Sequence, residues 1–183
     1  MNQYYLNTEK RIQTAFLDLR RTCDISKLSV RALCDCAEIN KSTFYYHYQD
    51  IYHLAHTMER NCVEALFHRL LSDTDSSIAH QEAVNQQLLA EFSQPLGTLF
   101  SGQKDRFYAT VNDLFSEVIT DDRLTEQDRI RTAIALQRVI TLFHRATTAT
   151  PNAQLFTAHE QLFSTLLTAV EQLPARCYTN YQL

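Results

Sequence analysis

Ser29 to Tyr48 reads SVRALCDCAEINKSTFYYHY. Ser29 is a natural N-cap. Val30, Leu33, Cys34 and Ala37 recur at the spacing of one helical face, so a short helix is expected over Ser29–Ala37. The apolar face stops near Glu38 and Ile39, where a tight turn is expected. Asn40 then caps a second short helix, Lys41 to His47. Phe44 and Tyr48 are four apart, share a face and anchor this helix to a small core. Lys41, Ser42, Thr43, Tyr45, Tyr46 and His47 make the rest of it dense in amines and hydroxyls. Such groups reach phosphate oxygens and base edges. A helical stretch with three tyrosines, Tyr45, Tyr46 and the adjoining Tyr48, could equally be an amphipathic core helix. The tight turn between two short helices favours the other reading, because that geometry sets a recognition helix in the DNA major groove.

Working outward, Ile12, Ala15, Phe16 and Leu19 mark an earlier helix over Thr8–Thr22, with Thr8 as its cap. A fourth helix is expected from Asp50 to Leu71 on Ile51, Leu54, Met58, Cys62, Ala65 and Leu66. A polar stretch, Ser72 to Ser77, follows. Further helices are expected over 79–93, 95–101, 104–120, 125–149 and 151–173. Thr125 to Asp128 reads as a capping box, and Thr150 before Pro151 as an N-cap and N1 pair. The chain then divides into a helical unit at 1–49 and a second at 50–183, with the fourth helix serving both.

Composition supports an all-α fold. In 183 residues there are 2 glycines and 3 prolines, too few for the turns a sheet protein needs. Five cysteines, Cys23, Cys34, Cys36, Cys62 and Cys177, form no disulfide framework. No secretory leader and no run of roughly 18 apolar residues is visible. The expected setting is therefore reducing and cytoplasmic, with no membrane partner. The net charge of −4 divides unevenly: residues 1–50 hold seven Lys/Arg against six Asp/Glu, and residues 51–183 ten against fifteen. This permits DNA contact by the first part and disfavours it for the second.

Residues 8–56 resemble the DNA-binding domain of tetracycline-repressor (TetR) family regulators. The resemblance is carried by Ala37-Glu38-Ile39-Asn40-Lys41-Ser42-Thr43-Phe44-Tyr45-Tyr46-His47-Tyr48 and by the spacing from Phe16 and Leu19 to Val30 and Leu33. The Thr43-to-His47 run is similar to that of regulators like the dihydroxyacetone-kinase activator group. The resemblance implies an N-terminal helix-turn-helix and a helical regulatory and dimerisation domain. Ser29 and Arg31 would contact phosphate, and Lys41 and Ser42 would face bases. Thr43, Tyr45, Tyr46 and His47 would divide between the two. Two positions depart from the family pattern. Glu38 stands where glycine is frequent, and a non-glycine residue at positive φ costs roughly 1–2 kcal/mol, so the turn is expected to relax slightly. Asp50 stands where a phosphate-touching lysine is frequent; its carboxylate would either repel DNA or cap the fourth helix.

Other clusters are weaker. Cys34 and Cys36 are two apart and do not share a helix face, which disfavours a metal or a disulfide; Cys34 reads as core. Redox sensing by Cys36 or Cys62 would need a lowered thiol pKa. His53, His56 and Glu59 line one face, but a metal would need ligands from elsewhere, so solvated histidines are the simpler reading. His144 and His159 read as packed histidines or as pocket groups. No glycine-rich phosphate loop, H-E-x-x-H or G-x-S-x-G motif motivates an enzyme, and no cofactor is called for. Ala133, Ile134, Leu136, Val139, Ile140, Leu142, Phe143 and Ala146 cover a wide arc, as does the apolar set in 151–173. The core takes one side, and a second copy would take the other. The expected protein is a homodimeric, sequence-specific regulator of double-stranded DNA, more readily a repressor. A small-molecule effector would sit near Phe92, Phe100, Tyr108, Phe115, Phe143 and His144. The alternative is a co-regulator acting through protein–protein contact in its C-terminal domain.

Overall fold

The computed structural model describes residues 3–73, 77–119 and 124–147. All regular structure among these residues is helical: α1 Gln3–Arg20, α2 Val30–Ala37, α3 Lys41–His47, α4 Ile51–Ser72, α5 Ile78–Leu99, α6 Lys104–Ile119 and α7 Glu126–Thr147, with a 3-10 turn at Ile25–Lys27. The helix expected over 151–173, with Thr150, His159 and Cys177, lies outside the described residues.

Helix starts follow local chemistry. The Ser29 hydroxyl accepts from Ala32 N at 3.1 Å, Asn40 Oδ1 from Thr43 N at 2.7 Å and Asp50 Oδ1 from His53 N at 2.7 Å. Asp50 is thus a cap, one of the two roles that its sequence position left open. Thr125 and Asp128 close a reciprocal box: Asp128 N donates to Thr125 Oγ1 at 3.2 Å, and Thr125 N to Asp128 Oδ2 at 3.3 Å. Thr8 is no cap. It is buried inside α1, which starts earlier at Gln3. The first turn gains tertiary support from Tyr5, whose ring packs on Tyr46 and His47, and such contact overrides local signals.

The turn after α2 does not relax. Glu38 sits at φ 51, ψ 49, fully left-handed. Arg11 Nη2 of α1 donates to the Glu38 carbonyl at 2.9 Å and pairs with its carboxylate at 3.3 Å. The carbonyl bond, which any residue here would accept, ties the strained turn to α1, and the exposed carboxylate pair adds only a little to it.

The expected break between 93 and 95 is also absent, since α5 runs through Pro95. An internal proline costs about 3 kcal/mol. The stripe Leu88, Phe92, Leu96 and Leu99 continues across it, all buried. Burying a leucine contributes roughly 1.5–3 kcal/mol, so Leu96 and Leu99 together offset the proline.

One hydrophobic core extends from Ile12 of α1 to Phe143 of α7. α1 packs on α2 and also on α5, while α4 is embraced by α5, α6 and α7. Ile51, Leu54, Ala55, Met58, Val63, Leu66, Phe67 and Leu70 all point inward, whereas Ala65 faces solvent. The wide apolar arc of α7 is mostly met within the chain, because α4, α5 and α6 contact it from different sides. Ile130 and Ile134 remain 42% and 54% exposed. No described helix is long and apolar enough to cross a membrane.

Candidate nucleic-acid interface

α3 is held from one side and free on the other. Phe44 is fully buried, and the buried Tyr48 closes the C-terminus by donating its N–H to Phe44 O at 2.9 Å. The Tyr48 hydroxyl accepts from Gln13 Nε2 and donates to Glu9 Oε1, both at 3.2 Å, which pins α3 to α1. Burial pushes the Tyr48 phenol up to about 12. It therefore stays a neutral donor across the ordinary pH range.

Lys41, Ser42, Tyr45 and Tyr46 face solvent, with Tyr45 56% and Tyr46 77% exposed. The residues expected to contact nucleic acid differ in what they can offer. Asn40 Oδ1 takes hydrogen bonds from Ser42 Oγ at 2.6 Å and from Thr43 Oγ1 at 2.8 Å. With their protons directed at Asn40, these hydroxyls present acceptor lone pairs, which match base amino groups and repel phosphate oxygens. Lys41, Tyr45 and Tyr46 keep exposed donors. His47 is turned inward: its ring stacks on Tyr5 at 4.1 Å, and its Nδ1 is buried without a partner. Ser29 and Arg31 are exposed at the start of α2, and Arg31 lies only loosely against Asp35 at 4.0 Å.

Two features were not foreseen from the residues. Tyr5, Tyr46, His47, Tyr48 and His53 form a continuous row of ring contacts from α1 across α3 to α4. A spacing argument cannot find Tyr5, because its partners are some forty residues away in sequence. A cavity of about 570 Å³ also opens between α1 and the end of α2, lined by Lys10, Arg11, Thr14, Asp18, Cys36 and Glu38 among others.

In the C-terminal half, the expected effector-lining rings meet one another. Phe143 stacks on Phe107 at 3.6 Å and 9°, and Phe100 packs edge-on to both. Phe92 and Phe115 are buried as well. The Tyr108 hydroxyl lies 2.9 Å from His144 Nε2, joining α6 to α7. Glu59 does not continue a solvated face with His53 and His56. It is 2% exposed and takes a hydrogen bond from Arg106 Nη2 at 2.7 Å. Cys34 is buried, and burial raises its thiol pKa. Burial pushes Cys62 up to about 12, opposite to the lowered thiol pKa that redox sensing needs. No family model matches the chain, and no curated protein does.

Proposed function

We propose that this chain is a sequence-specific, DNA-binding transcription regulator of the TetR type, with α2 and α3 as its helix-turn-helix and α3 as its reading helix. The observation that supports it is the contrast along α3. Phe44 and Tyr48 fix the helix rigidly, yet Tyr45 and Tyr46 stand in water beside Lys41. Two large phenols held on a rigid, exposed helix are preorganised for an external partner, so little ordering entropy is lost on binding. Lys41 and the phenols donate, while Ser42 and Thr43 accept. This mixture suits a groove that displays both acceptors and amino groups.

The test uses duplexes selected from a random pool and fluorescence anisotropy at several salt concentrations. Tyr45→Ala removes a neutral contact worth roughly 0.5–1.5 kcal/mol, lost twice in a dimer. Affinity should fall about 5- to 150-fold, uniformly across operator variants if the contact is to phosphate. Lys41→Ala should relax discrimination at one position per half-site by roughly 1–3 kcal/mol if Lys41 reads a base edge. If it meets phosphate, the salt slope should shrink by about one unit per subunit instead. Unchanged affinity in both variants, with circular dichroism confirming the fold, would remove α3 from the interface. The excess of acid over 51–183 would then favour a co-regulator that binds a protein partner.

The same reading includes a homodimer and a small-molecule effector acting on the C-terminal half, near Phe92, Phe100, Tyr108, Phe115, Phe143 and His144. Ile130 and Ile134, four residues apart on α7, offer an apolar seam for a second copy. Sedimentation at micromolar concentration should give about twice the 21.2 kDa chain mass. A clean monomer would rule out the dimer.

A further inference from the structure

We propose that His53 of α4 is a DNA-phosphate contact, in which the neutral imidazole donates its Nε2–H. The proposal rests on the DNA-binding reading of α3 and extends it to the next helix.

The arrangement begins with Asp50. Its carboxylate caps α4, taking the His53 N–H at 2.7 Å. The Asp50 carboxylate offers a phosphate no donor, so a side-chain contact at the start of α4 would have to reach past it. His53 is exposed and placed to do so. The backbone N–H of Gln49 donates to His53 Nδ1 at 3.1 Å. Nδ1 is therefore an acceptor, and a neutral ring carries its proton on Nε2. The ring is held a second way, since it meets the Tyr48 ring edge-on at 5.9 Å and 69°. Tyr48 is itself locked by Glu9 and Gln13. The tautomer and the orientation of His53 are thus both set before any partner arrives.

The place also fits. His53 ends the row of rings that starts at Tyr46 and passes through Tyr5, His47 and Tyr48. It lies beside the C-terminal end of α3 rather than along the exposed face that carries Lys41 and Tyr45. A contact flanking the reading helix falls on the strand backbone, and such contacts fix register rather than sequence. A neutral donor also predicts a particular salt behaviour. It displaces no counterion, so its loss should lower affinity without changing the salt slope.

The experiment compares His53→Ala, His53→Gln and His53→Asn in the full chain, on the duplexes selected for the parent protein. The glutamine amide nitrogen reaches the position of Nε2, and the asparagine amide reaches that of Nδ1. His53→Ala should bind about 5- to 150-fold more weakly with an unchanged salt slope. His53→Gln should keep most of the parent affinity, and His53→Asn should bind as weakly as the alanine variant. If His53→Ala binds like the parent while Tyr45→Ala does not, the phosphate contact is overturned and the reading of α3 stands. A smaller salt slope in His53→Ala, or equal affinities for the glutamine and asparagine variants, would overturn the neutral Nε2 donor. If the parent binds no selected duplex at all, the DNA reading fails and this proposal fails with it.

Discussion

Phe143→Ala should lower the folding stability of this protein by about 3–5 kcal/mol, the range for emptying a buried aromatic site. The ring is fully buried. It lies flat on Phe107, edge-on to Phe100, and close to Tyr108 at 6.5 Å. Removing it deletes a contact plane shared by α6, α7 and the cap residue that ends α5, and side chains from three separate segments cannot easily collapse into the space. For a chain of this length each kcal/mol moves the melting temperature by roughly 2–4 °C, so the midpoint should fall by about 6–20 °C. Phe143→Leu should recover much of the loss, because it restores volume without the ring stack. The measurement also bears on the effector. A ligand seated among Phe100, Tyr108 and Phe143 must part these rings or find room already beside them. If Phe143→Ala costs less than about 1 kcal/mol, the ring stands beside open space rather than in a closed core.

The N-terminal helices were legible in the sequence because their signals are local. A cap such as Ser29 or Asn40 acts within three residues, and Phe44 and Tyr48 reveal their shared face by spacing alone. The left-handed turn at Glu38 could also be placed, although its retention could not. The tie that holds it comes from Arg11, 27 residues upstream. Pro95 misled for a related reason: a proline marks a local cost, while the offset lies in what Leu96 and Leu99 bury across the fold. By residue type Ser42 could donate to a base, and Thr43 to a base or a phosphate, but hydroxyl direction depends on a neighbour, here Asn40. Tyr5 and Glu59 were unreadable for the same reason, since each owes its role to a helix far away in sequence. Of the candidate interface, the sequence therefore disclosed the helix and its exposed face. The supporting contacts that orient its groups depend on tertiary packing.

Arg106→Ala should destabilise the protein by about 3 kcal/mol near neutral pH, and by much less in acid. Glu59 is the reason. Its carboxyl is buried within α4, and its close partner is the Arg106 guanidinium of α6, 2.7 Å away. Burial raises the Glu59 pKa above its ordinary value of 4.5, against the opposing pull of Arg106, His56 and Arg20. Removing Arg106 takes away the largest of those pulls, so the carboxyl rises further. A buried ion left without its partner typically costs 3–5 kcal/mol. The lower end applies here, since Arg106 is partly exposed and water can reach the vacated space. The sign with pH follows from proton binding. The folded variant holds the Glu59 proton more tightly than the unfolded chain does. Stability therefore falls as pH rises from about 4.5 through the raised value, and the deficit is full only above it. Urea titrations at pH 4 and pH 7.5, referenced to the parent at each pH, should show the loss shrinking in acid. Glu59→Gln in the Arg106→Ala background should restore part of the stability at pH 7.5 and flatten the pH dependence, because the amide carries no charge to desolvate. A deficit of equal size at both pH values, unaffected by Glu59→Gln, would mean that Arg106 acts by packing its stem between α4 and α6, and not by compensating the buried carboxylate.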